Sequence, residues 1–211
     1  MKAILVRYKL ADTFLVGILI MIFIFLFEIN FLDLLIAKWG FSHEFDVIQY
    51  SAQLLSKGAD SIYWLTPSGL IALYFYFIKK NIYIASRAKF FFINIAVAGI
   101  TVNILKVLFG RPRPYVYKNE GIFDFQFFQL SANYFSFPSG HTTTAFGIAT
   151  ALTLMFPRYG IIFFIYAFIM AYSRVACYVH YLSDVTAGAF LGVGMTLLLY
   201  HYQKVTFANK G

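Results

Sequence analysis

Six apolar runs separated by short polar breaks leave this chain few folds to choose from. They occupy residues 13–35, 61–78, 90–109, 141–156, 161–178 and 185–202, to within a few positions. A helix of roughly 20 residues, rising 1.5 Å per residue, is what crosses about 30 Å of hydrocarbon. Hydrophobic residues make up 61% of the chain and charged ones 12%, proportions foreign to a water-soluble domain. The expected fold class is therefore all-α: a polytopic bundle of six transmembrane helices, one integral-membrane domain over residues 1–211. Lys2, Arg7 and Lys9 precede the first run, which is too long for a signal-peptide core and lacks a small-residue cleavage site, so it reads as an uncleaved helix. Residues 39–60 are more polar, with Phe45, Ile48, Ala52 and Leu55 at helical spacing. That pattern fits a helix lying in the membrane interface, or an ordinary connecting helix packed on the spans.

Charge sets the orientation. The 17 Lys and Arg outnumber the 9 Asp and Glu, but no basic run interleaves with a polar face, so lipid head groups and topology account for the excess and nucleic acid does not. Six spans place both termini on one side, together with Lys2, Arg7, Lys9, Lys79, Lys80, Arg87, Lys89, Arg158, Lys204 and Lys210. The positive-inside rule makes that side cytoplasmic. Lys106, Arg111, Arg113, Ser139, His141, Arg174, His180 and Asp184 then collect on the outer face. Glu28 lies within the first run, where an acid is either functional or close enough to a helix end to reach the interface. Cys177 is the one cysteine and reads as a small buried hydrophobe; His43 reads as a solvated loop histidine. With no paired His/Cys ligands and no carboxylate cluster, no metal or other cofactor is expected.

The chemistry gathers in three places. Residues 137–141, Phe-Pro-Ser-Gly-His, stand at the mouth of an apolar run, so the amides of Ser139, Gly140 and His141 are expected to be unpaired at a helix N-terminus that favours an anion. His141 sits beside that anion, placed to exchange a proton. Lys106, Arg113 and Arg174 supply three cations, enough for a phosphate monoester of about −1.5 to −2 charges. Arg grips phosphate in two-pronged fashion and Lys acts as a point charge. His180 and Asp184 are four apart, on one face if helical, so that the carboxylate accepts from one imidazole nitrogen and the other is left to attack. Arg174 shares that face only if the helix breaks near Val179 or His180.

Lys106-x6-Arg113-Pro114, Pro138-Ser139-Gly140-His141 and Ser173-Arg174-x5-His180-x3-Asp184 together resemble the three-part signature of the type 2 phosphatidic acid phosphatase (PAP2) superfamily, to which vanadium haloperoxidases are also similar. The resemblance implies a membrane lipid phosphatase working by metal-independent phosphoryl transfer. His180 would be the nucleophile, oriented by Asp184, with His141 as acid and then base. Lys106, Arg113, Arg174, Ser139 and the Gly140 amide would hold the phosphoryl oxygens. Arg111 is an extra cation to which the signature assigns nothing.

Two other readings start from the same residues. An intramembrane serine protease, similar to a rhomboid protease, would use Ser139 as nucleophile but leaves three cations without purpose. A non-enzymatic anion transporter keeps the cations but not the His180–Asp184 pair. The expected partners are the bilayer and a lipid phosphate: polyprenyl diphosphate, lipid A, phosphatidylglycerol phosphate or phosphatidic acid. Short loops point to a bacterial inner membrane, with the site periplasmic or extracellular. Residues 115–137 and 39–60 are expected to flank the lipid's access route.

Overall fold

The computed structural model describes residues 19–43 and 46–203, and every regular element among them is a helix. In chain order these are α1 (Leu19–Ser42), α2 (Asp46–Ser56), α3 (Ile62–Phe77), α4 (Ile82–Phe109), α5 (Pro114–Glu120), α6 (Gly140–Met155), α7 (Gly160–Ala176) and α8 (Leu182–Gln203). A π-helical turn, Glu28–Leu32, interrupts α1. Within the described residues all six apolar runs are largely helical, but four stretches are long and apolar enough to cross a membrane: Leu19–Ser42, Ile82–Glu120, Pro157–Ala176 and Leu182–Gln203. The expectation of six spans is corrected to four candidates among the described residues. Helices α3 and α6 have 16 residues each, about 24 Å of rise where about 30 Å is needed.

For α6 the shortness has a physical reason. Its positions from Thr142 to Ala151 are all buried, because α4, α7 and α8 pack around it. A helix sheathed in protein satisfies its surroundings without matching the thickness of the lipid. The outer helices carry the lipid-type surface instead, with Phe23, Ile161, Phe168 and Leu198 exposed. Glycines set the closest contact. A Cβ on Gly192 would stand 2.4 Å from the Thr143 carbonyl and 2.9 Å from the Gly147 nitrogen, and one on Gly188 would stand 2.7 Å from the Ser139 carbonyl. Small residues let α6 and α8 approach to backbone contact, the usual way helices associate where lipid removes the hydrophobic drive. Asn94 on α4 joins them, donating to the Gly147 carbonyl (3.2 Å) and accepting from the Thr196 hydroxyl (2.9 Å).

Helix α2 forms and lies against α7, as a connecting helix would. Only part of its apolar stripe is on the buried side. Ala52 and Ser56, four residues apart, are buried, whereas Ile48 and Leu55 stay exposed. Phe45 lies outside the described residues, as do Lys2, Arg7, Lys9, Lys204 and Lys210. Glu28 is buried on α1, with Oε1 accepting from the Thr186 hydroxyl of α8 at 2.8 Å and Oε2 without a hydrogen-bond partner among the described residues.

Because the Gly192 position has backbone on two sides, Gly192→Ala is expected to destabilise the protein by about 1–3 kcal/mol through overpacking. Thermal unfolding in detergent measures this, with Gly194→Ala, where an added Cβ meets nothing within 4 Å, as the control.

Candidate functional site

The C-terminal ends of α4 and α7 and the N-terminal ends of α6 and α8 meet at one end of the bundle. Helix α4 stops at Gly110, whose left-handed backbone (φ 54°) suits glycine and whose amide closes on the Lys106 carbonyl. The last carbonyls of α4 would otherwise be orphaned. The following loop folds back to take them: Gln126, Phe127 and Phe128 donate their amides to Gly110, Phe109 and Leu108. Arg113 is extended, and Pro114 begins α5 at the position where a missing amide costs nothing.

At the mouth of α6 the helical ladder begins with the Thr143 amide on the Ser139 carbonyl, so the amides of Gly140, His141 and Thr142 precede it. The Ser139 amide, expected to be open, instead donates to the Asp184 carbonyl at 3.0 Å. The cradle therefore starts one residue later than its spacing implied. The Ser139 side chain is fully buried and accepts from the Thr142 hydroxyl at 3.0 Å, with no histidine beside it in hydrogen-bond contact. Gly140 keeps the Lys106 side chain close: a Cβ there would be 3.5 Å from Nζ.

The break needed between Arg174 and His180 is present. Helix α7 ends at Ala176, Tyr178 takes a left-handed conformation (φ 54°), and α8 begins at Leu182, so His180 lies in a turn and not on a helix. Its Nδ1 is 2.7 Å from the Ser136 carbonyl, which can only accept, so Nδ1 carries the proton and Nε2 presents a free lone pair. The sequence expectation that Asp184 would be this acceptor is corrected. Asp184 Oδ2 is 3.6 Å from Nδ1 and takes its hydrogen bonds from the Ser136 hydroxyl (2.5 Å) and the Tyr181 amide (2.9 Å). Asp184 thus orients His180 through Ser136, whose carbonyl and hydroxyl face the two partners. Burial is the main cause that pulls the His180 imidazole down from 6.5 to about 3; Asp184 opposes the shift, and the charges of Arg113 and Lys106 reinforce it.

Lys106, Arg113 and Arg174 converge on this turn. Lys106 and Arg113 act electrostatically on both histidines, and Arg174 acts on His141. Arg113 is steadied by its Nε on the Ala132 carbonyl (3.1 Å), while the buried Nε of Arg174 has no partner among the described residues. All eight residues singled out for the site, Lys106, Arg113, Ser139, Gly140, His141, Arg174, His180 and Asp184, are brought to the same end of the bundle.

Beneath them lies a cluster that pattern reading missed. Arg111 is fully buried and donates Nη1 to Asp184 (2.6 Å) and Ser183 (2.7 Å), and Nη2 to Asp33 (2.7 Å). Asp33 also accepts from the amide and hydroxyl of Ser183. The rings of Tyr181, Phe125 and Phe123 cover the guanidinium at 4.4, 5.2 and 5.4 Å. Arg111 thus carries the weight of two carboxylates, one of them Asp184. Its position beside Arg113 was a visible signal; Asp33, an acid inside an apolar run, was another.

Two outcomes are expected from this geometry. Arg111→Met strands two buried carboxylates and should cost about 3–5 kcal/mol, seen as a lower melting temperature in detergent, with Asp33→Asn in the same chain recovering part of it. His180 is folded with a depressed pKa, so its contribution to stability is complete above about pH 6.5 and declines as the pH falls toward 3, where the unfolded chain takes up the proton first. Acid titration of the melting temperature should therefore show a steeper fall below pH 6.5 for the wild type than for His180→Asn.

Comparison with known proteins gives the family. Residues 87–207 match the family model described as PAP2 superfamily. A lipid A 1-phosphatase of Rhizobium johnstonii is 36% identical over 119 residues, 56% of this chain and 49% of the relative, and one of Rhizobium etli is 37% identical over 119 residues, covering 56% and 51%. The chain thus spans about half the length of those curated relatives. The crystal structure of Aquifex aeolicus LpxE superposes with a TM-score of 0.60 at 27% identity, covering 81% of this chain and 96% of that one. A PAP2-type phosphatidylglycerolphosphate phosphatase from Bacillus subtilis shares the fold, with a TM-score of 0.55 at 18% identity over 88% and 95% of the two chains. With its matched region spanning more than half of the sequence and containing all three motifs, this chain belongs to the PAP2 superfamily.

Proposed function

We propose that the protein is a membrane-embedded lipid phosphate phosphatase that transfers the phosphoryl group through His180. The observation that carries this reading is an imidazole whose Nδ1 is committed to a carbonyl, leaving Nε2 free beside three cations and a helix N-terminus. Nε2 of His180 attacks phosphorus in line with the departing lipid oxygen. As the N–P bond forms and the P–O bond breaks, His141 gives its proton to that oxygen. Water then enters, His141 takes a proton from it, and the N–P bond breaks to release phosphate. Lys106, Arg113, Arg174 and the amides at the start of α6 neutralise the charge spread over the phosphoryl oxygens. Ser139 adds a hydroxyl contact, and Asp184 holds His180 by way of Ser136.

The relatives named as lipid A 1-phosphatases support a phosphorylated membrane lipid as substrate. Our reading places the site at the outer face of a bacterial inner membrane, where the cluster of motif residues at one bundle end meets the head groups. The aromatic loop after α5 and the α2 segment flank the path by which the lipid arrives. The serine protease reading loses its footing because the Ser139 hydroxyl is engaged by Thr142 and not by a histidine.

Phosphate release from lipid phosphates by the purified protein in detergent tests the proposal, and activity should persist with EDTA present. Turnover should fall at least about 10³-fold in His180→Ala, as for loss of a nucleophile. Ser139→Ala should lose only about 10- to 100-fold, the loss of one hydrogen bond to a charged group. The opposite ranking would restore the serine as nucleophile.

A further inference from the structure

Beside His141 a cavity of about 180 Å³ opens between the start of α3, the last turns of α4 and the first turn of α6. Lys106, Gly140 and His141 line it on the phosphoryl side. The rest of its polar lining, Asp60, Ser61, Asn103 and Thr144, lies outside all three motifs and takes no part in the phosphoryl chemistry proposed above. Each has hydrogen-bonding capacity to spare. Asp60 commits one oxygen, Oδ1, to the Ile62 amide (3.1 Å), and Asn103 commits its amide nitrogen to the Gly99 carbonyl (3.0 Å). What remains without a hydrogen bond among the described residues is a carboxylate Oδ2, a side-chain carbonyl Oδ1 and the hydroxyls of Ser61 and Thr144. That set is rich in acceptors and bears a negative charge near enough to act on His141.

We infer that this cavity seats the leaving group next to the scissile bond, and that Asp60 and Asn103 select an uncharged leaving group bearing O–H or N–H donors, such as a glycosyl or amide-bearing head, over one that carries a second phosphate. The inference rests on the phosphatase reading, because His141 as proton donor fixes the departing oxygen at the cavity's edge. Donor groups complete the free acceptors, whereas an analogue without them leaves those acceptors unpaired, the arrangement by which sites discriminate most strongly. A second phosphate would face Asp60 with like charge.

The test compares kcat/KM for four substrates in detergent: a glycosyl 1-phosphate lipid, diacylglycerol phosphate, a polyprenyl diphosphate, and p-nitrophenyl phosphate, whose leaving group has no hydrogen-bond donor. The wild type should favour the glycosyl phosphate over the diphosphate. Asp60→Asn and Asn103→Ala should each lower the ratio of glycosyl phosphate to p-nitrophenyl phosphate turnover by about tenfold, the effect of one hydrogen bond. Asp60→Asn should also narrow the gap to the diphosphate. Equal losses on all four substrates, or unchanged ratios in both variants, would overturn the inference while leaving the phosphatase reading intact. A wild type that releases phosphate from none of them would overturn both. Melting temperatures identify any variant that fails to fold, and Asn103→Ala, at an exposed position of α4, carries the test if Asp60→Asn does so.

Discussion

A guanidinium shared by two carboxylates, with no water-exposed surface on any of the three side chains, is the interaction on which the rest of this molecule depends. Arg111 reaches Asp33 on α1 and Asp184 at the start of α8. It thereby fastens the first helix of the described chain to the last, and to the loop that leaves α4. A buried ion cluster is a poor source of net stability, because desolvation consumes most of the Coulomb gain. Its value here lies in geometry. Once one member is placed, leaving any other unpaired is so unfavourable that the arrangement has a single solution.

That solution runs directly into the reactive group. Asp184, held by Arg111, receives the Ser136 hydroxyl, and the carbonyl of the same residue receives Nδ1 of His180. The Asp184 carbonyl meanwhile takes the Ser139 amide, which sets the height of the turn leading into α6. One residue of α8 thus positions both the imidazole and the helix N-terminus that would cradle a phosphoryl group. The glycine contacts at Gly188 and Gly192 continue the same alignment down the α6–α8 seam. Packing between helices and the placement of the reactive atoms are two aspects of a single constraint.

Much of this was legible in the residues, and what was not has physical reasons. Lys106, Arg113, Ser139, Gly140, His141, Arg174, His180 and Asp184 could be gathered to one bundle end because apolar runs count out the crossings between them. The chain break that frees His180 from the face opposite Arg174 followed from their spacing. The acceptor for His180 did not, since a backbone carbonyl has no letter in a sequence and any residue at position 136 would have supplied one. Asp33 stayed hidden for another reason: 78 positions separate it from Arg111, and one acid in an apolar run does not name its partner. The span count went astray at α6 because hydropathy cannot tell a helix bathed in lipid from one wrapped in protein, and at α3 because that largely exposed helix is only 16 residues long.

The π-helical turn in α1 has a consequence for inheritance. Glu28 and Asp33 both face α8, one meeting Thr186 and the other Ser183. Five residues along a regular α-helix advance about 500°, which would turn two such side chains some 140° apart. The wider turn, closed by the Asp33 amide on the Glu28 carbonyl, brings them back into line. One codon lost between these two acids would let the wide turn relax to an ordinary α-helical one, in which the remaining four steps advance about 400° and still leave Glu28 and Asp33 only about 40° apart. One codon gained there would instead add about 100° and carry Glu28 away from Thr186.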